Sequence, residues 1–403
     1  MEVVLKKCKI GSSFLCFFVA LSLFGASVFS VSCKMTAEGI VAVSEDVHNP
    51  VLSDFFQESE DSLVLCFSEE VSITNMEVRS AGEKDSGQIV LSSERIEVAK
   101  VAQEGGKEFK TTGEMALQGT EGSASVEGSG KVNINVTFKD GFVLEPGFPY
   151  VLSGVAHDKK GNSLFFQVPF HGFNRNVAKI VLSEVKPGYD KPEVEFIEFY
   201  VYKPGNLAGI ILNTVNKDFE YVFPSVEVSE GEYIVLHMRT LSQESGHVNE
   251  LGEDLNLSTA PDSCTDARDL WVPMEERIVG NSDVITLRER WNGRIMDALL
   301  YAHPDISATV QKKTLPVAQQ LVEAGAWQGE KGLDGWVQAD GLTNTSTTRS
   351  LSRQNIQAFD EAVGAEIAVP LPSPQDWFVT AKAGRVSGIT PGLPNSTTRY
   401  VAD

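Results

Sequence analysis

The sequence predicts a mainly β protein with two antiparallel β-sandwiches in tandem, the second carrying a helical insertion. Three observations support this fold class. Apolar and polar residues alternate in segments such as 132–138, strand-like segments recur at short intervals, and turn-forming residues separate them. The hydrophobic content of 42% is enough to fill packed cores. The length of 403 residues suits two or three domains.

The first 33 residues have the pattern of a secretory signal peptide. Three lysines precede an uncharged run from Ile10 to Cys33, whose apolar centre is Phe14 to Phe29. The uncharged run is also long enough to span a bilayer as an uncleaved anchor. Either interpretation places most of the protein outside the cytoplasm.

Cys33 ends this run directly after the small residue Ser32. The arrangement resembles a bacterial lipoprotein processing site, although Ser30 and Val31 depart from the usual residues before the cysteine. The resemblance implies lipidation at Cys33, which would anchor the protein to a membrane of the bacterial cell envelope. Residues 34–50 are polar and have no clear period, so we expect them to form a tether.

The charge of the chain restricts its partners. The formal net charge is −21, and such an acidic surface repels phosphates and anionic lipid headgroups. We therefore expect no nucleic-acid partner. A positively charged partner remains compatible with this surface.

The first domain is predicted over residues 51–173. Residues 63–67, 132–138 and 164–170 repeat apolar side chains with period two, and residues 89–91 add a weaker strand. Residues 144–164 resemble the end of a bacterial Ig-like domain of the surface-layer type.

A tight hairpin is predicted inside this resemblance, from Asp158 to Asn162. Gly161 can adopt the positive φ that such a turn needs. A metal site formed by His157, Asp158 and Asn162 is the alternative. Turn chemistry is favoured, because two lysines occupy the place where a cation would bind.

The second domain is predicted over residues 177–398. Its candidate strands are separated by turn residues such as Pro204-Gly205, which favours an antiparallel sandwich. The candidates are residues 180–185, 194–202, 209–212, 219–223, 233–237, 284–287 and 295–301. Glu198 is in phase with Phe196, so we expect its side chain to point inward unless a bulge intervenes, and a buried carboxylate must find hydrogen-bond donors.

Two segments depart from a plain sandwich. Residues 243–269 form a long polar stretch whose acidic residues either bind calcium or form a solvated loop; they are Glu253, Asp254, Asp262, Asp266 and Asp269. Residues 303–336 include a predicted helix that Thr314 caps, that has Pro316 in its first turn and that ends at Gly325.

Trp327 and Trp336 follow that helix. They either pack against the sandwich or form a surface for a partner such as a carbohydrate, and we regard them as candidate interaction residues.

Four phrases occur in a fixed order in the second half of the chain. They are Val194–Phe199; Asp283–Leu287 with Asp297–Tyr301; Ser350–Arg353; and Asp376-Trp377 with Thr390–Asn395. In this order they resemble the lamin-tail domain, an Ig-like β-sandwich, over roughly residues 177–395. The resemblance implies structural roles for Glu198, Asp283, Asp297, Tyr301, Arg353, Asp376, Trp377, Pro391, Gly392 and Asn395. It also implies binding and scaffolding functions without a shared catalytic apparatus.

The sequence contains none of the common local catalytic motifs, and its six histidines are scattered singly. No cofactor or metal is therefore expected. Cys66 and Cys264 either pair or remain buried free thiols. We expect a lipid-anchored, non-catalytic envelope protein that presents the second sandwich to a protein or polymer. An envelope scaffold or adhesion factor is the main alternative, and a hydrolase whose site assembles in space is a third.

Overall fold

The computed structural model describes residues 48–82, 86–100, 132–188, 191–342, 348–382 and 388–401, and the backbone of Lys34–Thr36 and Gly39–Val41. The predicted leader and Cys33 lie outside the described residues. The chain divides into two compact units, Met1–His48 and Asn49–Asp403. In the first unit β1 (Lys34–Thr36) pairs antiparallel with β2 (Gly39–Val41). The second unit is mainly β, with several antiparallel sheets and, among the described residues, two α-helices.

Two four-stranded antiparallel sheets enclose the first core of the second unit. Their strands are β3 (Leu52–Ser59), β4 (Ser62–Phe67), β5 (Ser72–Ser80), β6 (Ile89–Leu91), β7 (Ile96–Lys100), β8 (Val132–Phe138), β9 (Pro149–His157) and β10 (Ser163–His171). The strand orders are β3-β4-β8-β7 and β10-β9-β5-β6. Residues from both sheets, including Leu65, Val136 and Leu152, form one apolar cluster. This pair of sheets is called the first sandwich.

The alternating pattern of residues 132–138 is confirmed as strand β8. Ile134, Val136 and Phe138 are buried, and the residues between them are half-buried. The predicted hairpin is also confirmed, since β9 and β10 pair around Gly161, which has φ +94°. Asp158 Oδ1 accepts hydrogen bonds from the backbone N–H groups of Lys160 and Asn162, both at 2.8 Å. Asp158 therefore has the turn role that the sequence favours.

A second pair of sheets follows, called the second sandwich. Its strands are β11 (Lys179–Lys186), β12 (Phe196–Lys203), β13 (Gly205–Asn206), β14 (Ile211–Thr214), β15 (Phe219–Val222), β16 (Glu227–Val228), β17 (Tyr233–His237), β18 (Arg268–Trp271), β19 (Asp283–Arg288), β20 (Ile295–Ala302), β21 (Val337–Gln338), β22 (Leu351–Arg353) and β23 (Trp377–Val379). The six-stranded sheet has the order β18-β17-β12-β11-β22-β23, and the five-stranded sheet has the order β15-β14-β19-β20-β21. Strands β13 and β16 form a separate pair.

The core of the second sandwich lies between these two sheets. Ile197, Phe199 and Leu236 from one sheet and Leu287 and Leu299 from the other belong to the same buried cluster. All of their side chains are fully buried. Most neighbouring strands are antiparallel, but β17–β18 and β20–β21 are parallel pairs.

Helix α1 (Ala308–Glu323) lies between β20 and β21, and α2 (Gln357–Gly364) follows β22. The predicted start of the helix at Thr314 is wrong. Ser307 is the N-cap and accepts a hydrogen bond from the Val310 N–H, while Thr314 is interior and donates its hydroxyl to the Val310 carbonyl at 2.8 Å. Gly325, with φ +70°, follows the helix end as predicted.

The junction between the sandwiches is packed. Asn174 Nδ2 donates to the carbonyl oxygens of Asn206 and Ala208, at 2.8 and 3.0 Å. Gly147, with φ +72°, lies so close to Ala208 and Gly209 that a Cβ at this position would be 2.8 Å from the Gly209 nitrogen. The Arg290 guanidinium lies 4.8 Å from the centre of the Phe173 ring. Contacts from several segments therefore hold this junction.

Cys66 and Cys264 are not joined by a disulfide bond. Burial, followed by the charge of Asp269, raises the pKa of the Cys264 thiol. Within the described ranges, no helix has both the length and the apolar character needed to cross a bilayer.

Candidate functional site

Glu198 connects strand β12 to the C-terminal segment. Its side chain is fully buried, and Oε2 accepts a hydrogen bond from the Gly392 backbone N–H at 2.6 Å. The expected burial of Glu198 and its need for a donor are confirmed, but the side chain lies on the outer face of the six-stranded sheet, beside a bulge in β11. Ile197 and Phe199 face the core between the sheets, whereas Phe196, the side chain in phase with Glu198, belongs to a cluster on the outer face. Glu198 is buried because loops cover this face.

Gly392 must approach this outer face closely. It has φ +78°, and a Cβ there would lie 2.9 Å from the Cβ of Ala267. A glycine therefore brings the backbone N–H within reach of the Glu198 carboxylate. Pro391 precedes it in the same turn and is half-buried.

Glu184 lies directly opposite Glu198 in the β11–β12 pairing and is also fully buried. Its carboxylate accepts hydrogen bonds from the hydroxyl of Ser350 and from the Thr390 backbone N–H, the latter at 3.1 Å. Burial raises the pKa of Glu184 to about 7, although these donors oppose the change. Burial and then the charge of Glu184 raise the pKa of Glu198 well above its ordinary range. The two carboxyl groups are therefore able to retain protons near neutral pH.

Asp297 and Arg353 form a second buried connection, between β20 and β22. Arg353 Nη1 donates to Asp297 Oδ2 at 2.6 Å, and the same oxygen accepts the Leu182 N–H at 2.8 Å. Both side chains are 1% exposed. The guanidinium lies over the rings of Phe359 and Trp377, 4.8 and 5.5 Å from their centres. This ion pair therefore links the two sheets of the second sandwich.

The remaining motif residues each fix a chain reversal or a loop. Asp283 Oδ1 accepts the N–H groups of Val215 and Asn216, at 3.0 and 2.8 Å. Burial raises the pKa of Asp283 to about 7. The Tyr301 hydroxyl donates to the Gly280 carbonyl at 2.8 Å.

Asn395 and Asp376 hold the C-terminal segment. Asn395 Nδ2 donates to the carbonyl oxygens of Ser183 and Arg353, at 3.0 and 2.9 Å. Asp376 Oδ2 accepts the Ser373 N–H at 2.9 Å, at the turn that leads into β23. The structure thus brings all four phrases into one set of connections, which we call the closure network. Its hydrogen bonds join strands to loops.

Trp327 and Trp336 are buried, with 2% and 1% of their surfaces exposed. The packing interpretation is confirmed, and the interpretation of these side chains as an exposed interaction patch is wrong. Trp327 Nε1 donates to the Gly335 carbonyl at 2.9 Å, which fixes the segment after α1. The sequence could not distinguish these outcomes, because a tryptophan suits either a core or an interface.

A groove of about 410 Å³ lies between β21 and β23, at the edges of the two sheets. Its lining residues include Asp334, Trp336, Asp340, Gln375, Trp377 and Tyr400. Both tryptophans are almost fully buried, and within the described part of the chain neither indole N–H has a hydrogen-bond acceptor. The lining of the β21–β23 groove therefore combines aromatic residues with carboxylates, while the two unmatched indole N–H groups are buried beneath its surface.

The acidic residues of 243–269 do not gather into one site. Glu253, Asp254 and Asp266 are exposed, as the solvated-loop interpretation expects. Asp262 and Asp269 instead face His237, at 3.7 and 2.8 Å from its two ring nitrogens. Sequence reasoning missed this convergence because β17 and β18 pair in parallel across an excursion of thirty residues.

The fold and the closure network define a mainly β, sandwich-like protein. A family model described as "protein second domain" matches residues 178–379, which is half of the chain, and the chain belongs to this family. The match begins one residue before β11 and ends with β23. The chain is also similar to an uncharacterized protein of Treponema pallidum (strain Nichols), with 34% identity over 199 residues. That alignment covers 46% of this chain and about half the length of the relative.

Proposed function

We propose that this protein is a non-catalytic binding protein of the bacterial cell envelope, anchored through lipid on Cys33. In this proposal the first sandwich is an Ig-like spacer. The second sandwich, with α1 as its helical insertion, is lamin-tail-like and presents the β21–β23 groove to a protein partner. The anchor depends on the leader pattern before Cys33, which lies outside the described residues.

The convergence of the four phrases carries the lamin-tail-like assignment. Four residues of the closure network come from segments up to about 200 residues apart, yet each forms a hydrogen bond with one of the other segments. They are Glu198, Asp297, Arg353 and Asn395. Burial of these polar groups is tolerated because they find partners within the protein. Such use of polar residues supports an architectural role for the motifs.

The β21–β23 groove supports an extended, basic peptide segment as the occupant. Its volume of about 410 Å³ is in the range of small binding clefts. Asp334 and Asp340 outnumber Arg399, the cation in the same lining, and together with the net charge of −21 they favour lysine or arginine side chains.

Site-specific photocrosslinking tests the groove. A photoreactive residue replaces Gln375 in the groove or, as a matched control, the exposed Gln167 on β10. We expect a protein adduct in intact cells from position 375 and a weaker or different pattern from position 167. The double variant Asp334→Asn/Asp340→Asn should reduce the adduct, while Asp305→Asn, an exposed aspartate outside the groove, should not. Identical adducts from both positions would contradict the proposed binding surface.

Metabolic labelling with a palmitate analogue tests the anchor separately. The label should mark the wild type and the Cys66→Ala control but not Cys33→Ala. The Cys33→Ala protein should also be absent from the membrane fraction. Equal labelling of Cys33→Ala and the wild type would remove the lipoprotein part of the proposal.

A further inference from the structure

Four side chains meet on the outer face of the six-stranded sheet. His237 lies at the end of β17, Asp269 lies on the parallel strand β18, and Asp262 and Cys264 lie in the loop before β18. We call them the His237 cluster. One ligand atom each from His237, Cys264 and Asp269 lies within 4.8 Å of the other two.

We propose that His237, Cys264 and Asp269 bind a divalent zinc ion. Imidazole nitrogen, thiolate sulfur and carboxylate oxygen are the three donors that zinc uses in proteins. With bonds of about 2.0 to 2.3 Å, ligand atoms around a tetrahedral zinc lie roughly 3 to 4 Å apart. The present separations need only small side-chain movements to reach that arrangement.

The imidazole supplies an independent observation. His237 is 1% exposed, and its Nδ1 has no hydrogen-bond partner within the described part of the chain. The closest charged atom to it is Asp262 Oδ2 at 3.7 Å, on the loop that also carries Cys264. Nε2, on the other side of the ring, lies 2.8 Å from Asp269 Oδ1, so an ion bound between His237 and Asp269 uses Nε2. Nδ1 then carries the ring proton toward Asp262, which orients the imidazole as the outer carboxylate of a carboxylate–histidine–zinc arrangement does.

Neighbouring groups hold the proposed ligands in place. The His237 ring is stacked on Trp271 with centroids 3.8 Å apart and an interplanar angle of 9°. Asp269 Oδ2 accepts the Cys264 N–H at 2.9 Å, so the carboxylate and the cysteine are connected directly. The Asp269 N–H donates to Glu250 Oε2 at 2.8 Å. These contacts resemble the outer-shell interactions that hold the ligands of metal sites in place.

The charge balance also favours a cation. Two carboxylates, Asp262 and Asp269, face one imidazole, and the cluster lies mostly out of contact with solvent. Buried negative charges of this kind are stabilised by pairing or by a metal ion. Cys264 is only partly buried, which leaves a route from solvent to the cluster. This inference does not depend on the proposed function.

Cobalt(II) titration tests the site, because cobalt replaces zinc and gives a charge-transfer band when it binds a thiolate. The full chain is treated with a chelator, desalted and titrated. We expect an equimolar binding step with this band and with the visible bands of tetrahedral cobalt. Cys264→Ala should lose the thiolate band, while Cys66→Ala should retain it. Asp269→Asn should weaken binding at least tenfold, while Asp266→Asn, an exposed aspartate in the same loop, should bind as the wild type does.

Zinc protection of Cys264 gives a second measurement that needs no variant. Saturating zinc should slow alkylation of Cys264 in the wild type, as followed by peptide mass spectrometry, and raise the melting temperature by mass action. An ordinary His237–Asp269 ion pair predicts neither effect. Absence of the thiolate band in the wild type, or its persistence in Cys264→Ala, would overturn the proposal.

Discussion

Glu184 and Glu198 are directly paired across β11 and β12, with both side chains fully buried. Two neighbouring carboxyl groups that are both buried cannot both ionise without a cost in free energy. The C-terminal segment supplies donors to each of them, from Thr390 and from Gly392. The protonation of this pair is therefore linked to the attachment of the segment.

The pair predicts a pH dependence of stability. Burial raises the pKa of Glu184 from its ordinary value of 4.5 to about 7, so between these values the folded state binds more protons than the unfolded chain. The contribution of Glu184 to the free energy of unfolding should therefore fall as the pH rises from about 4.5 to about 7 and level off above it. The loss for such a carboxyl is on the order of 3 kcal/mol.

Denaturant unfolding at several pH values measures this slope. Glu184→Gln should change this slope by removing the contribution of Glu184, and the exposed Glu230→Gln, on the turn before β17, should leave the slope as in the wild type. A slope that Glu184→Gln leaves unchanged would contradict the prediction.

The Asp297–Arg353 pair should contribute strongly to stability. Asp297→Asn leaves the guanidinium buried without its counter-charge, and removal of one partner from a buried pair costs about 3 to 5 kcal/mol. Glu323→Gln breaks the exposed pair with Lys331 and should cost no more than about 1 kcal/mol. Chemical denaturation of both variants gives the comparison, and equal losses would show that burial of the ion pair is unimportant.

Trp377 should be a main support of the second sandwich. It is 4% exposed and packs beneath Arg353, so Trp377→Ala should cost about 3 to 5 kcal/mol. Deletion of residues 376–403 should unfold the second sandwich, because it also removes the donors to Glu184 and Glu198. An unchanged melting profile of the truncated protein would disprove the closure network.

Gly147 should be intolerant of a side chain. Gly147→Ala places a methyl group 2.8 Å from the Gly209 nitrogen and also imposes strain at φ +72°. Gly161→Ala is the matched control, because its φ of +94° has the same backbone cost while its Cβ would meet open space. The difference between their unfolding free energies, measured by denaturation, isolates the cost of opening the junction. We expect Gly147→Ala to be the less stable variant by about 1 to 3 kcal/mol.

Local pattern made much of the fold predictable. Strand β8 alternates strictly because one of its faces is buried, and β17 and β20 are nearly continuous apolar runs. Strand β18 was missed, since Arg268 and Asp269 look like loop residues in the sequence. They are buried because Arg268 pairs with Glu232 and Asp269 contacts His237. Charge pairing across the sheet thus outweighed local polarity.

The helix start was wrong, and the face on which Glu198 is buried was not predictable, for similar reasons. Ser307 and Thr314 are both competent caps, and the position of α1 against β19 is a tertiary property. A bulge between Leu182 and Glu184, together with loop residues such as Ile389, creates a second buried face on the six-stranded sheet. Periodicity identifies a buried face but not which side of the sheet the loops will cover.

Asn395 is far in sequence from the residues that it bonds to, and this has a consequence for biosynthesis. Asn395 bonds to Ser183, 212 residues earlier, and β22 pairs with β11 from a similar distance. Contacts this remote slow folding, since long loops must close before any of them form. A growing chain that ends before residue 351 displays β11 with one unpaired edge, which other chains are able to join. We therefore expect synthesis of β22 and the residues that follow it to lower the tendency of the chain to aggregate.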